Sequence, residues 1–261
     1  MKYSIITVNF NNAEQLEQTI ISVIDQNYKD YEYIIIDGGS TDNSVSIIQK
    51  YSSNINYWIS EKDKGIYNGM NKGIAVAKGD YCLFLNSGDT FYNNDVLAKC
   101  ANNLTADFIC GNANLLYPKG TAIWESPEKI DETFFAQRLS LCHQSLFILT
   151  KLLKKRPYDE CYRIAADFEQ VLYESLVNKA VYSKIDTIIC NYRLDGISSN
   201  NDISDKEKLA ITEKYRDLNY LCKDELLQII KKLKVGSKKH KIILSFAKLI
   251  VNGAKLFKNG K

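Results

Sequence analysis

Two hydrophobic periods alternate along the first hundred residues. Residues 3–8 form a short, β-branched apolar run, and residues 13–26 then repeat apolar positions at helical spacing through Leu16, Ile20, Val23 and Ile24. A second strand is predicted over 33–36, stopped by Asp37-Gly38-Gly39-Ser40, and a helix over 43–51 with Asp42 or Thr41 at its N-cap. Strands over 55–59 and 81–85 flank a helix over 66–77. Short apolar strands that alternate with helices predict an α/β fold with a mostly parallel central sheet covered by helices on both faces. Beyond residue 106 the pattern is less regular. It predicts strands over 108–117, 122–124 and 145–149, an amphipathic helix over 166–178 and a strand over 180–190. An Asp-, Ser-, Asn- and Gly-rich stretch over 195–204 reads as an exposed linker, followed by helices near 205–234 and 238–258.

Composition changes the picture in three ways. The 261 residues, 45% apolar and 11% aromatic, suffice for one large domain plus an appendage and exclude disorder. The net charge of +3 is a sum of unlike parts: after Glu225 there are ten lysines and no acid, which leaves 24 of the 34 basic residues against 31 acidic ones in the body. An acidic body excludes a general nucleic-acid binder and assigns the basic tail a separate task. Seven cysteines without a CxxC pair suit neither a disulfide framework nor a structural zinc site. The N-terminus enters a strand with no signal peptide, and no run approaches the ~20 apolar residues of a membrane span, so the expected setting is reducing cytosol.

In an open parallel sheet, ligands bind beyond the carboxyl ends of the strands. Here four consecutive strands deliver polar residues to that edge: Asn9-Phe10-Asn11, Asp37-Gly38-Gly39-Ser40, Glu61-Lys62-Asp63-Lys64-Gly65 and Asn86-Ser87-Gly88-Asp89. Each segment alone is ordinary turn chemistry, but four together predict a binding edge. Residues 9–15, NFNNAEQ, contain no glycine, so the dinucleotide fingerprint fails, and the P-loop pattern is absent as well. The glycine- and lysine-rich phosphate loop of a nucleotidyltransferase is missing from the same place.

The strings SIITVNFNN, YIIIDGGSTDNS and SEKDKGIYNGMNKGIAVAKGDYCLFLNSGD, with CHQSLF and YRIAADFEQ further on, resemble the inverting glycosyltransferases of family 2, which have the GT-A fold. The resemblance covers about residues 1–195. It implies a catalytic domain over 1–200, divided into a nucleotide-sugar-binding half (1–92) and an acceptor half (93–200); the helical, basic amphipathic pattern beyond it adds a C-terminal membrane-associating extension over 201–261. It implies a nucleotide-diphospho-sugar donor, UDP before GDP or dTDP, and a glycan or polyprenyl-linked acceptor in bacterial cell-surface polysaccharide synthesis. Donor binding falls to Asn9, Phe10, Asp37, Asp63, Lys64, Asn71 and Asn86, with Phe10 against the base and Asp37 accepting its imide N–H. A divalent cation, Mn²⁺ or Mg²⁺, neutralises the diphosphate. The family's paired acids after the fourth strand are reduced here to Asp89, the metal ligand. His143 and Gln144 fall in the acceptor region. The general base is Asp167, with Glu169 in reserve, although the dipole of a helix start favours an aspartate there in any case.

In the tail, Lys241, Lys248 and Lys255 recur every seven residues amid apolar positions. Such a helix suits an anionic membrane surface, at which each lysine contributes on the order of 1 kcal/mol. Packing on the catalytic domain and a homodimer contact are the alternatives. The expected location is cytoplasmic, peripheral on the inner face of the membrane. The rival to an enzyme is an inactive nucleotide-binding scaffold, which the reduced NSGD motif suggests and the retention of Asp37, Asp89 and Asp167 opposes.

Overall fold

The computed structural model describes residues 2–193 and 201–215. Strands β1 (Tyr3–Asn9), β2 (Tyr31–Asp37), β3 (Tyr57–Ser60) and β4 (Tyr81–Phe84) lie side by side in the order β3-β2-β1-β4, all parallel. Between them run α1 (Ala13–Ile24), α2 (Ser44–Lys50) and α3 (Ile66–Val76). The two-residue period of a strand explains why these runs are apolar throughout. In β1, Ile5 shares a core with Leu16 and Ile20 of α1, whereas its neighbour Ile6 shares one with Met70 and Ile74 of α3 on the opposite face. In β2 the same division sends Ile35 one way and Ile34 and Ile36 the other.

The second half comprises β5 (Thr90–Phe91), α4 (Val96–Cys100), β6 (Phe108–Tyr117), β7 (Gly120–Trp124), α5 (Glu132–Ala136), β8 (Leu146–Leu149), α6 (Thr150–Lys155), α7 (Ala166–Leu176), β9 (Tyr182–Arg193) and α8 (Asn201–Tyr215). β8 inserts antiparallel between β4 and β6, β9 runs parallel to β6, and β5 closes the order antiparallel on β9. β7 folds back on β6 as a hairpin. The sheet is therefore parallel through its first four strands and mixed beyond them. The expected strand over 55–59 starts later, because Ser52–Asn54 makes a turn of 3-10 helix and Ile55 is buried in the connection.

The boundary expected at residue 200 requires correction. Ile211 and Tyr215 of α8 are buried in the same core as Phe168 and Leu172 of α7, so α8 is built into the catalytic domain. The expected linker over 195–204 ends inside α8. The lysine-striped stretch and the rest of 216–261 lie outside the described residues. Among the described residues, no helix is long and apolar enough to cross a membrane.

Candidate active site

The register of the parallel strands brings three polar side chains into one row, with Asn9 opposite Asp37 and Asp37 opposite Ser60. Asn9 Nδ2 donates to Asp37 Oδ1 at 2.7 Å, and Ser60 Oγ donates to Oδ2 at 2.6 Å. Ser40 adds its hydroxyl at 2.6 Å and its backbone N–H at 2.9 Å. Burial alone would raise the Asp37 carboxyl, but donors from Ser40, Ser60 and Asn9 outweigh it and hold the group below its ordinary value. With 0% of the residue exposed and both oxygens occupied, Asp37 is a strut across three strand ends, not the open base-reading acid expected from the sequence. Ser60 was not singled out in the sequence, although the strand register would have found it.

Beside this strut, Phe10 is 62% exposed at the end of β1. A Cβ placed on Gly38 would meet Asp63 Oδ2 at 2.5 Å and Phe10 Cδ2 at 3.3 Å. Glycine at 38 thus leaves the space that the Asp63 carboxylate occupies, next to the Phe10 ring. Asp63 Oδ1 also accepts the Gly65 N–H at 3.0 Å, which closes the loop after β3. Lys64 is exposed on that loop. Asn71 is elsewhere engaged: its amide donates to the Tyr158 carbonyl at 2.9 Å and to Glu160 at 3.0 Å, and it accepts the Tyr158 N–H at 2.9 Å. Its work is to clamp the 158–160 segment onto α3, which corrects its expected place in donor binding.

After β4 the chain turns through Asn86-Ser87-Gly88-Asp89, with Gly88 at φ +108°, a conformation costly for any residue with a Cβ. The turn is pinned by Asp89 N–H to the Asn86 carbonyl (2.9 Å) and Gly88 N–H to Thr19 Oγ1 (3.0 Å). The Asp89 carboxylate accepts Gln144 Nε2 at 3.1 Å and the Arg193 backbone N–H at 3.2 Å. Asn86 Oδ1 is buried with no hydrogen-bond partner. Among the described residues no three His, Cys, Asp or Glu side chains converge as metal ligands.

Asp167 stands in the first turn of α7, where Tyr67 Oη lies 2.8 Å from its Oδ1 and 2.5 Å from the Ile164 carbonyl. A wall of rings leads from there to β4. Tyr67 and Tyr158 lie 5.3 Å apart, Tyr158 Oη is 2.8 Å from His143 Nε2, and His143 stacks on Phe84 at 4.9 Å. Asp167 and His143 line a pocket with Phe134, Leu141 and Phe168, and with Ser140, whose hydroxyl is buried without a partner. The sequence reading brought out neither Tyr67 nor Tyr158. Glu169, the reserve base, is fully buried: Arg156 binds it at 2.5 and 2.7 Å, and the Tyr215 hydroxyl donates to it. A carboxylate so enclosed serves the junction of α7 and α8, not the site.

The strand ends from Asn9 to Asp89 fall within residues 4–162, which match the family model described as Glycosyl transferase family 2. The chain belongs to glycosyl transferase family 2. An uncharacterized glycosyltransferase of Mycobacterium tuberculosis is 33% identical to it over 210 residues, covering 77% of this chain and 78% of the relative. A PGL/p-HBAD biosynthesis glycosyltransferase of Mycobacterium bovis is 29% identical, with 79% and 82% covered. Among solved structures, S. aureus TarS 1-349 in complex with UDP-GlcNAc superposes with a TM-score of 0.66 at 18% identity, over 94% of this chain and 70% of that one. The chain spans 42% of the longer TarS chain. The mannosyltransferase PcManGT from Pyrobaculum calidifontis, in complex with GDP-Man and Mn²⁺, gives 0.60 at 13% identity, over 95% and 69%. The fold is GT-A and the protein is a glycosyltransferase.

In this glycosyltransferase the ring wall has a measurable consequence. Burial pushes His143 below its ordinary value of 6.5, with the Asp167 charge pulling the other way, so it sits neutral at physiological pH. Below pH 6.5 the unfolded chain takes up the proton before the folded one does. Stability is then lost as pH falls, by at most about 1.4 kcal/mol per pH unit. Asp37, held below its ordinary 3.8, forfeits its contribution only near and below that value, outside the pH 7.5–5 range in which His143 begins to act. Thermal melting between pH 7.5 and 5 is expected to show this slope in the wild type and a flatter one in His143→Gln.

Proposed function

We propose that this enzyme transfers one sugar, with inversion, from a UDP-sugar to a glycan or polyprenyl-linked acceptor of a cell-surface polysaccharide. The observation that carries the reading is the placement of Asp167. It lies at a helix start beside a pocket, its Oδ1 held by Tyr67, at one end of a ring wall whose other end is the strand leading to Asp89. Inversion is one in-line displacement. The acceptor oxygen bonds to the anomeric carbon as the bond to the diphosphate oxygen breaks, and the acceptor proton passes to Asp167. Tyr67 has a single hydroxyl proton for two oxygens. It can donate to Asp167 while the acid is ionised, and turn to the Ile164 carbonyl once Asp167 carries the proton.

For the donor, the exposed Phe10 ring and the adjacent Asp63 carboxylate support stacking of the base and acceptance of its imide N–H. Asp37 and Asn9 keep that platform in shape, and Lys64, exposed on the same loop as Asp63, is assigned to the phosphates. One anionic oxygen set at Asp89 and the orphaned amide oxygen of Asn86 are donors that suit a hard cation, Mn²⁺ or Mg²⁺. So small a set fits such an ion only together with diphosphate oxygens, and the ion would supply charge neutralisation of the leaving group. The mannosyltransferase neighbour complexed with Mn²⁺ supports that assignment. The lysine stripe over 241–255 supports a cytoplasmic enzyme held peripherally at an anionic membrane surface.

The experiment is UDP release from a panel of UDP-sugars by the purified full chain. Turnover of one of them that vanishes in Asp167→Asn supports the reading, and no turnover of any contradicts it. In the same preparation Phe10→Ala is expected to weaken UDP binding about ten-fold, the worth of one aromatic stack on a base. Unchanged affinity would remove Phe10 from the site.

A further inference from the structure

Glu207 of α8 reaches the segment that leads into the base helix. Its carboxylate accepts three successive backbone N–H groups, from Arg163 to Oε1 at 2.7 Å and from Ile164 and Ala165 to Oε2 at 2.9 Å each. These residues immediately precede α7, whose N-cap is Ala165, a side chain with nothing to offer the free donors of a helix start. What Glu207 supplies, from a different helix more than forty residues later in the chain, is an acceptor for the three N–H groups that lead into that start. Its effect reaches the reacting group by a short path. Ile164, held by Glu207 through its N–H, presents its carbonyl to Tyr67, and Tyr67 holds Asp167. Ile211 anchors the same helix in the core that α7 shares.

We infer that Glu207 is a positioning residue for Asp167, making α8, which lies beyond the family-matched residues, a working part of the site. The inference rests on the reading of Asp167 as general base. Three hydrogen bonds to one anion fix the backbone far more tightly than apolar contact does. Small displacements of a catalytic group cost rate steeply, up to about a hundred-fold per ångström.

The test uses the full-length enzyme with Glu207→Ala, Glu207→Gln, Ile211→Ala and Asp167→Asn, comparing kcat, KM for the donor and the Kd for UDP. Glu207→Ala is expected to lower kcat about ten-fold or more, with donor KM and UDP affinity within about two-fold of wild type. Glu207→Gln, whose amide oxygen can still accept two of the three N–H groups, is expected to recover part of that loss. Ile211→Ala, a core truncation on the same helix, is expected to lower Tm while leaving kcat nearly intact well below the melting temperature. Equal kcat losses in Glu207→Ala and Ile211→Ala, or wild-type kcat in a folded Glu207→Ala, would overturn the inference even though Asp167→Asn is inactive. A fully active Asp167→Asn would instead sink the base assignment, and the inference with it.

Discussion

Replacing Asp167 by Asn is expected to lower kcat by about 10²–10⁴-fold while leaving UDP affinity within about two-fold of wild type, the signature of a lost general base. The substitution keeps the shape of the side chain and a hydrogen-bond acceptor for the Tyr67 hydroxyl, so packing at the start of α7 is little disturbed. It removes the group that takes the acceptor proton. An aspartate placed at a helix start only for the dipole would contribute about 0.3–1 kcal/mol to stability and nothing to turnover. The two roles therefore separate cleanly in single-turnover kinetics, where a dipole role predicts a wild-type rate and a small drop in Tm. Glu169 provides the internal contrast. It lies two residues on in the same helix, yet it is enclosed by Arg156 and Tyr215. Glu169→Gln is expected to act on stability, because it breaks a buried pair whose disruption costs about 3–5 kcal/mol.

The second large effect falls at Asp89. Asp89→Ala is expected to abolish cation-dependent UDP binding and to lower donor turnover by about a hundred-fold or more, since the cation then loses its anionic protein ligand. The same change deprives the Gln144 amide and the Arg193 N–H of an acceptor, at about 1–3 kcal/mol for each group left unpaired. Asp89→Asn distinguishes the two consequences. It keeps an oxygen for one of those two donors, so its Tm is expected to fall less than that of Asp89→Ala while cation-dependent binding is still lost. Calorimetry of UDP with and without Mn²⁺ reads the binding. Retained cation dependence in Asp89→Asn would move the ion elsewhere.

The first half of the fold is legible because its elements are long enough to complete a period. Strands β1 and β2 put alternate residues into opposite cores, and α1 and α3 show their apolar spacing plainly. The short elements α4, α5 and α6, of five or six residues, complete less than two helical turns and leave no periodic signal. Asp37 shows a different limit. An acid at a strand end reads as ligand-facing, but whether its oxygens are already used depends on Ser60, a neighbour in register and distant in sequence. Asn71 likewise lies on a helix that borders the site, while its amide answers to Tyr158 and Glu160 from the far half of the chain. Glu207 and the α7–α8 junction depend on a contact between segments more than forty residues apart, which no local pattern encodes. What the sequence does carry is the run of polar strand ends, because a parallel sheet places them all on one edge.

The central claim is that this edge binds a nucleoside diphosphate, and calorimetric titration of the full chain with UDP, GDP and dTDP, each with and without Mn²⁺, tests it most directly. The account predicts that UDP binds most tightly of the three, that Mn²⁺ strengthens this binding, and that the Mn²⁺ dependence is lost in Asp89→Ala. Failure of all three to bind, with or without Mn²⁺, would contradict it.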